Sequence, residues 1–271
     1  MKYLSLILKG FIIGIAKIIP GVSGAVIAIS FGIYEKLINI ISRPLHIKFN
    51  DLKFLSFLFI GAALGIGIFC KIVKFCIDNC YLPTMLLFLG LIIGGIPDIL
   101  GEIKNKRKFS NMFSFAICFT LFYLIINLQS AYYFNHNSFI YFIIGSIESL
   151  TTIIPGISGT AVFMALGLYN TLLTIFEEMS NFTIGLNTLI LFLSGFIIST
   201  VLIAKIINYI FKHKREIAYC CVFGFMSSSL LVMLINSFTE PFTIIELLFG
   251  ICLFIFGLFL TNKINSFFSK F

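Results

Sequence analysis

The sequence predicts an all-α polytopic membrane protein built from two inverted-topology repeats, each holding a Pro-Gly-tipped helical hairpin of re-entrant form plus spanning helices. Three observations carry that prediction. The 271 residues are 59% hydrophobic and only 11% charged, with a mean hydropathy of +1.09, whereas soluble domains are roughly a quarter charged. Ten apolar runs follow one another with no Ser/Gly/Pro linker or soluble block between them. The stretch "IIPGVSGAVIAISFGIY" at Ile18–Tyr34 returns 135 residues later as "IIPGISGTAVFMALGLY" at Ile153–Tyr169.

In chain order the runs cover residues 4–19, 22–41, 54–77, 84–100, 109–128, 139–154, 157–176, 187–211, 217–236 and 242–261. Several reach the ~20 residues that span a bilayer. The first resembles a signal peptide in position, but Lys9 and Lys17 interrupt it, no small-x-small cleavage site follows, and Pro20 opens another apolar run. It is expected to stay in the mature protein. Residues 1–271 therefore read as a single transmembrane domain, with repeat one over 1–103, repeat two over 136–236, and extra helices at 109–128 and 242–261, one after each repeat. The similarity runs beyond the motif: Gly10 aligns with Gly145, Gly32 with Gly167 and Tyr34 with Tyr169. At an offset of 134, Gly61 aligns with Gly195, Lys71 with Lys205 and Gly90 with Gly224. Internal symmetry of this kind is typical of secondary transporters.

Orientation depends on whether runs 4–19 and 22–41 form one broken helix or a hairpin. One helix would extend ~57 Å, against a hydrocarbon core of ~30 Å. A hairpin returns to its starting side, and three helices then cross before the second hairpin, which inverts it. Charge gives an independent check through the positive-inside rule. With hairpins, 13 Lys and Arg within residues 2, 43–53, 104–108, 212–215 and 263–270 share one face and the opposite loops carry none; with single broken helices they divide 7 to 6. Both termini are then cytoplasmic, in the cytoplasmic (inner) membrane, and the net charge of +8 needs no nucleic-acid partner. Glu35, Lys36 and Asn39 mark an interface near the end of the first return arm. That leaves roughly 13 apolar residues, ~20 Å of helix, which points to re-entrant hairpins. The seven Cys lie scattered, with no C-x-x-C and no His at metal spacing, so they read as small apolar residues and no metal site is expected.

Backbone that leaves helical geometry at membrane depth must face protein or a wet cavity. Pro20 and Pro155 break the entering helices, because proline disfavours helical geometry in the residue before it. Gly21, Gly24, Gly156 and Gly159 permit a tight turn and close approach, and Ser23 and Ser158 are placed to cap the returning helices. The exposed N–H groups of Gly21, Val22, Ser23 and Gly24, and of Gly156, Ile157, Ser158, Gly159 and Thr160, would sit at positive helix ends, a site for an anion and phosphate above all. Charged residues near hydrocarbon are costly and often functional. Lys17, one turn before the first tip, meets a phosphate or complements the helix dipole. Lys71 and Lys205, placed towards opposite leaflets by the inversion, contact the phosphate or snorkel to the interface. Glu148 binds a coupling cation, exchanges a proton or pairs with a lysine, while Asp98 reads as interfacial. No catalytic residue is assigned, and no cofactor beyond a coupling proton or sodium ion.

At "PGVSGAVIAISFGIYE" (Pro20–Glu35), "PGISGTAVFMALGLYN" (Pro155–Asn170), Lys71 and Lys205, the chain resembles the PopT-type polyprenyl-phosphate translocases, formerly domain of unknown function 368. The resemblance covers most of the chain. It implies a flippase whose lipid partner, undecaprenyl phosphate, returns from the outer to the inner leaflet for cell-wall synthesis. Ala25, Thr160 and Lys17 depart from the family pattern, standing at a glycine, a serine and an acidic or amide position. "ESLTTIIPGISGT" (Glu148–Thr160) also looks like the BacA-type undecaprenyl-pyrophosphate phosphatases. Those enzymes need a second glutamate four residues after the first and an arginine after Pro-Gly-x-Ser. Here Thr152 and Gly159 occupy those positions, with Ile13, Lys17 and Gly24 at the equivalent places in repeat one. Phosphoryl transfer lacks its acid–base and charge-neutralising groups, so a transporter is expected rather than an enzyme. A carrier of a small soluble anion or ion is a third reading, set apart by a closed vestibule where a lipid needs a lateral opening. Oligomeric state is left open.

Overall fold

The computed structural model describes residues 2–18, 23–105, 107–127, 138–159, 162–163, 166–180 and 183–268, and every regular element among them is helical. The first half holds α1 (Lys2–Ile18), α2 (Gly24–Ser30), α3 (Tyr34–Ile41), a 3₁₀ turn at Pro44–His46, α4 (Phe49–Asn79), α5 (Tyr81–Gly94), α6 (Ile96–Gly101) and α7 (Phe109–Asn127). The second holds α8 (Phe139–Ile153), α9 (Tyr169–Ser180), α10 (Leu186–His213), α11 (Arg215–Ser237) and α12 (Ile244–Phe268). Among the described residues six spans are long and apolar enough to cross a membrane: Phe49–Phe69, Tyr81–Gly101, Phe109–Ile126, Leu186–His213, Arg215–Ser237 and Ile244–Thr261. The protein is a multi-pass membrane protein. Its outer faces agree, since Phe59, Leu64 and Ile68 on α4 and Ile197, Leu202 and Ile206 on α10 are exposed. Apolar surface on that scale, on helices of membrane-spanning length, fits contact with lipid.

Glycine sets the packing. α1 lies along α4, and a Cβ on Gly10 or Gly14 would collide with the carbonyls of Leu58 and Ala62. One on Gly61 or Gly65 would meet those of Ile7 and Phe11. Two G-x-x-x-G faces thus oppose each other, which brings backbones together where lipid offers no hydrophobic gain and contact must come from van der Waals fit. α8 lies along α10 in the same way, with Gly145 against the Phe192 carbonyl and Gly195 against that of Phe142. These contacts join positions related by the offsets that align the two halves in sequence. Ser149 takes the place of Gly14 and hydrogen-bonds Thr200 at 2.8 Å. α5 packs on α12, where Thr261 donates to the Leu91 carbonyl at 2.9 Å, and α7 packs on α11. Each extra helix therefore rests on the opposite half of the chain: α7 on the second, α12 on the first.

The segment after the first Pro-Gly motif departs from the single run at 22–41 read from the sequence. It breaks at residues 31–33, and α2 meets α3 at 118°. Gly32 is the cause: its φ of 65° lies in the left-handed region that glycine tolerates. The Gly32 N–H donates to Ile29 O at 2.8 Å and the Ile33 N–H to Ala28 O at 3.0 Å, the paired bonds of a Schellman ending. Gly167, its equivalent, has φ 68°, and the Leu168 N–H donates to Phe163 O at 2.9 Å.

At one end of the bundle, Arg215 pairs with Glu35 at 3.1 Å and with Glu102 at 3.0 Å. Lys212 donates to Asn39 Oδ1 at 3.3 Å. Residues 35–39, 102 and 212–215 thus share one end.

Candidate functional site

The second helix break is fully framed by its surroundings. α8 stops at Ile153, and Ile154 is extended (φ −77°, ψ 119°), the geometry favoured in a residue before proline. Gly156 follows with φ 85°. A Cβ there would also lie 2.8 Å from Met226 N and 2.9 Å from Val222 O. The close approach expected of this glycine is therefore made by the α11 backbone, which wedges the tip in place. A helix end leaves its last carbonyls without partners. Tyr34, buried at the start of α3, supplies one by donating its hydroxyl to the Ile153 carbonyl at 2.8 Å. A side chain from the first half thus seals the break in the second.

Beside this break lies a charged cluster. Lys17, in the last turn of α1, forms an ion pair with Glu148 at 3.2 Å and donates to Thr152 Oγ1 at 2.7 Å. The Thr152 hydroxyl donates in turn to Glu148 Oε1 at 3.3 Å. The Glu148 side chain is 13% exposed and that of Lys17 40%. A Cβ on Gly159 would lie 3.9 Å from Glu148 Oε2, so the second tip folds back over the same carboxylate. Lys17 and Thr152 are repeat equivalents, and their contact joins the halves at matching positions.

A cavity of ≈ 10 Å³, about one water, lies between Ser23, Ser30, Leu91, Gly95, Gly156 and Met226. The buried Ser30 Oγ has no hydrogen-bond partner among the described residues. Ser30 also lines a vestibule of ≈ 570 Å³ that reaches Glu35, Asp98, Glu102, Arg215 and Tyr219. The lining is therefore shared from the Arg215 end inward to the residues around Ser23 and Gly156.

Residues 13–246 match the family described as undecaprenyl phosphate translocase-like. The chain belongs to that family. It is similar to the polyprenyl-phosphate transporter of Vibrio cholerae serotype O1, 29% identical over 244 residues that cover 85% of this chain and 77% of the relative. It is also similar to the polyprenyl-phosphate transporter of Staphylococcus aureus, 30% identical over 241 residues that cover 83% of each. No solved structure matches. The matched span of this translocase-like chain takes in Lys17, both Pro-Gly motifs and Arg215.

Within this family member the sequence-based candidates separate. Lys17, Glu148 and Gly159 converge, with Lys17 and Glu148 taking each other as partners, while Gly156 faces the α11 backbone. Ser23 holds the N-cap position of α2, with an extended backbone (φ −98°, ψ 119°) and its carbonyl accepting from the Val26 N–H at 3.0 Å. Its side chain makes no capping hydrogen bond, which corrects the expected role; the residue lines the small cavity instead. Ser158 is buried and its carbonyl accepts from the Val162 N–H at 3.2 Å. Ile157 packs with Phe122 and Val162, and Gly24 faces Ile13 across α1. Lys205 is exposed on α10, with no hydrogen bond or ion pair to the tips among the described residues. Pro20, Gly21, Val22, Thr160 and the Lys71 side chain lie outside the described residues. Asp98, read as interfacial, stands in the vestibule wall. Tyr34, Glu35, Glu102 and Arg215 were not singled out for a site. The available signals were the Tyr34–Tyr169 match and the carboxylates beside Gly32 and Gly101.

Proposed function

We propose that this protein is a flippase that carries undecaprenyl phosphate from the outer to the inner leaflet of the cytoplasmic membrane, for reuse in cell-wall synthesis. The observation that carries the reading is the junction of Lys17 and Glu148, where the last turn of α1 meets α8 across the two halves of a translocase-like chain. Support for hairpins comes from Arg215, which reaches both Glu35 and Glu102. Single broken spans would put residue 215 on the face opposite residues 35 and 102. Support for two inverted repeats comes from the matching glycine contacts of α1 with α4 and α8 with α10. The 118° bend between α2 and α3 favours a re-entrant arm over a straight crossing.

The lipid tail stays in the bilayer while its headgroup passes the junction. Lys17 is the cation nearest the breaks, and Glu148 and a phosphate are alternative partners for it. A proton or sodium ion on Glu148 neutralises the carboxylate and releases Lys17 to the phosphate, whose charge is otherwise costly at this depth. The positive ends of the returning helices add to that attraction. Lys71 gathers the headgroup at the outer leaflet and Lys205 meets it at the inner one, as rocking of the halves exposes the junction to each side in turn. Phosphatase chemistry is disfavoured, because Thr152 and Gly159 stand where that mechanism needs an acid and a cation, and Glu148 is held by Lys17. The test is reconstitution of pure protein in proteoliposomes with labelled undecaprenyl phosphate. The lipid is expected to change leaflet, with no inorganic phosphate released from undecaprenyl pyrophosphate. An immobile lipid would sink the flippase, and phosphate release would identify the enzyme.

A further inference from the structure

A second cavity opens at the Arg215 end, between α3 and α10. Its volume is ≈ 260 Å³, and its wall includes Lys36, Asn39, Asn208 and Lys212 with apolar sides from Ile38 and Phe211. The polar groups are ordered by one another. Asn208 Nδ2 donates to Ser42 Oγ at 2.9 Å and to Asn39 Oδ1 at 3.3 Å, where Lys212 Nζ also donates at 3.3 Å. Those bonds use one of the three N–H groups of Lys212, and among the described residues nothing accepts from the Asn39 amide nitrogen. Lys36 Nζ lies 4.3 Å from the centre of the Phe54 ring, a contact that leaves its N–H groups for another acceptor. Neither lysine is paired with a carboxylate among the described residues. Glu35, which also borders the cavity, is engaged on its other side by Arg215 at 3.1 Å and by the Tyr219 hydroxyl at 3.2 Å.

The neighbouring vestibule has the opposite balance: Glu35, Asp98 and Glu102 against Arg215. Two openings at the same end thus differ in sign, and an anion partitions into the basic one. The strip also continues inward. Lys205, Asn208 and Lys212 recur at i, i+3 and i+7 on α10, one face of a helix.

We propose that the groove between α3 and α10 is the inner-leaflet binding site for the phosphate headgroup of a polyprenyl lipid, which leaves sideways through it rather than through the acidic vestibule. The proposal rests on the flippase reading. It is tested on the full chain in proteoliposomes with a farnesyl phosphate bearing a diazirine near its headgroup, followed by mapping of the adducts. In the unaltered protein, adducts are expected on residues 34–43 and 205–213 as well as near the helix breaks. In K36Q/K212Q, whose altered side chains are exposed, the groove adducts should fall about tenfold while those near the breaks persist and report an intact fold. Equal groove labelling in the variant, or labelling near the breaks alone in the unaltered protein, would overturn the groove and leave the flippase standing. No adduct anywhere would overturn both. Unlabelled farnesyl phosphate should compete and inorganic phosphate should not; competition by inorganic phosphate at equal strength would mark a free-anion site and overturn the lipid assignment.

Discussion

Lys17 and Glu148 were each legible as candidates because a charge in an apolar run is costly, but their partnership was not. They lie 131 residues apart, and nothing local to either run indicates that the end of α1 meets α8. The repeat held the clue, since Thr152 occupies the position equivalent to Lys17 and bonds to it at 2.7 Å. Because Lys17 is 40% exposed, the pair is worth less than a fully buried one. A double-mutant cycle with Lys17→Met and Glu148→Gln, read by thermal unfolding in detergent, should give a coupling of about 1 kcal/mol. Additive single effects would show that the pair contributes nothing. Tyr34 is the second residue whose task the sequence concealed, since its hydroxyl serves a carbonyl in the other half. Tyr34→Phe leaves that buried carbonyl unpaired and should cost about 1–3 kcal/mol, seen as a lower midpoint in the same unfolding measurement.

At the scale of elements, the end of α8 before Pro155 could be read directly, because a proline disfavours helical geometry in the residue before it. The break at Gly32 could not, since a lone glycine in an apolar run also suits a continuous helix. Only its match with Gly167 marked it, and both prove to be left-handed. Glycines with similar φ are nonetheless unequal in what surrounds them. At Gly32 a Cβ meets nothing within 4 Å, so Gly32→Ala should carry only the left-handed cost of about 1–2 kcal/mol. At Gly156 the Cβ would add a clash with Met226 N and Val222 O to that cost. Gly156→Ala should therefore be the more damaging, with less folded protein recovered in size-exclusion chromatography. Equal recovery of the two would contradict the wedge of the second tip against α11. The pairing of α7 with α11 and of α12 with α5 was likewise invisible in sequence, because run length and order do not say which neighbour a helix chooses.

The whole-molecule class was the most legible level, because low charge and successive apolar runs leave membrane insertion as the stable outcome. The relation of the two faces turns on hairpin against single span, and the proposed hairpin rests on Arg215 meeting Glu35 and Glu102. What sequence could not supply was the cavity system, since the vestibule and the basic groove are assembled from residues of both halves. In the proposed path Lys17 is the cation that the headgroup meets midway. The most direct test is the initial rate at which labelled polyprenyl phosphate changes leaflet in proteoliposomes containing Lys17→Met or the unaltered protein at equal, verified amounts of folded chain. Loss of one charge-assisted contact predicts a rate at least about tenfold lower in Lys17→Met. Equal rates would contradict passage of the phosphate through the junction of the two halves.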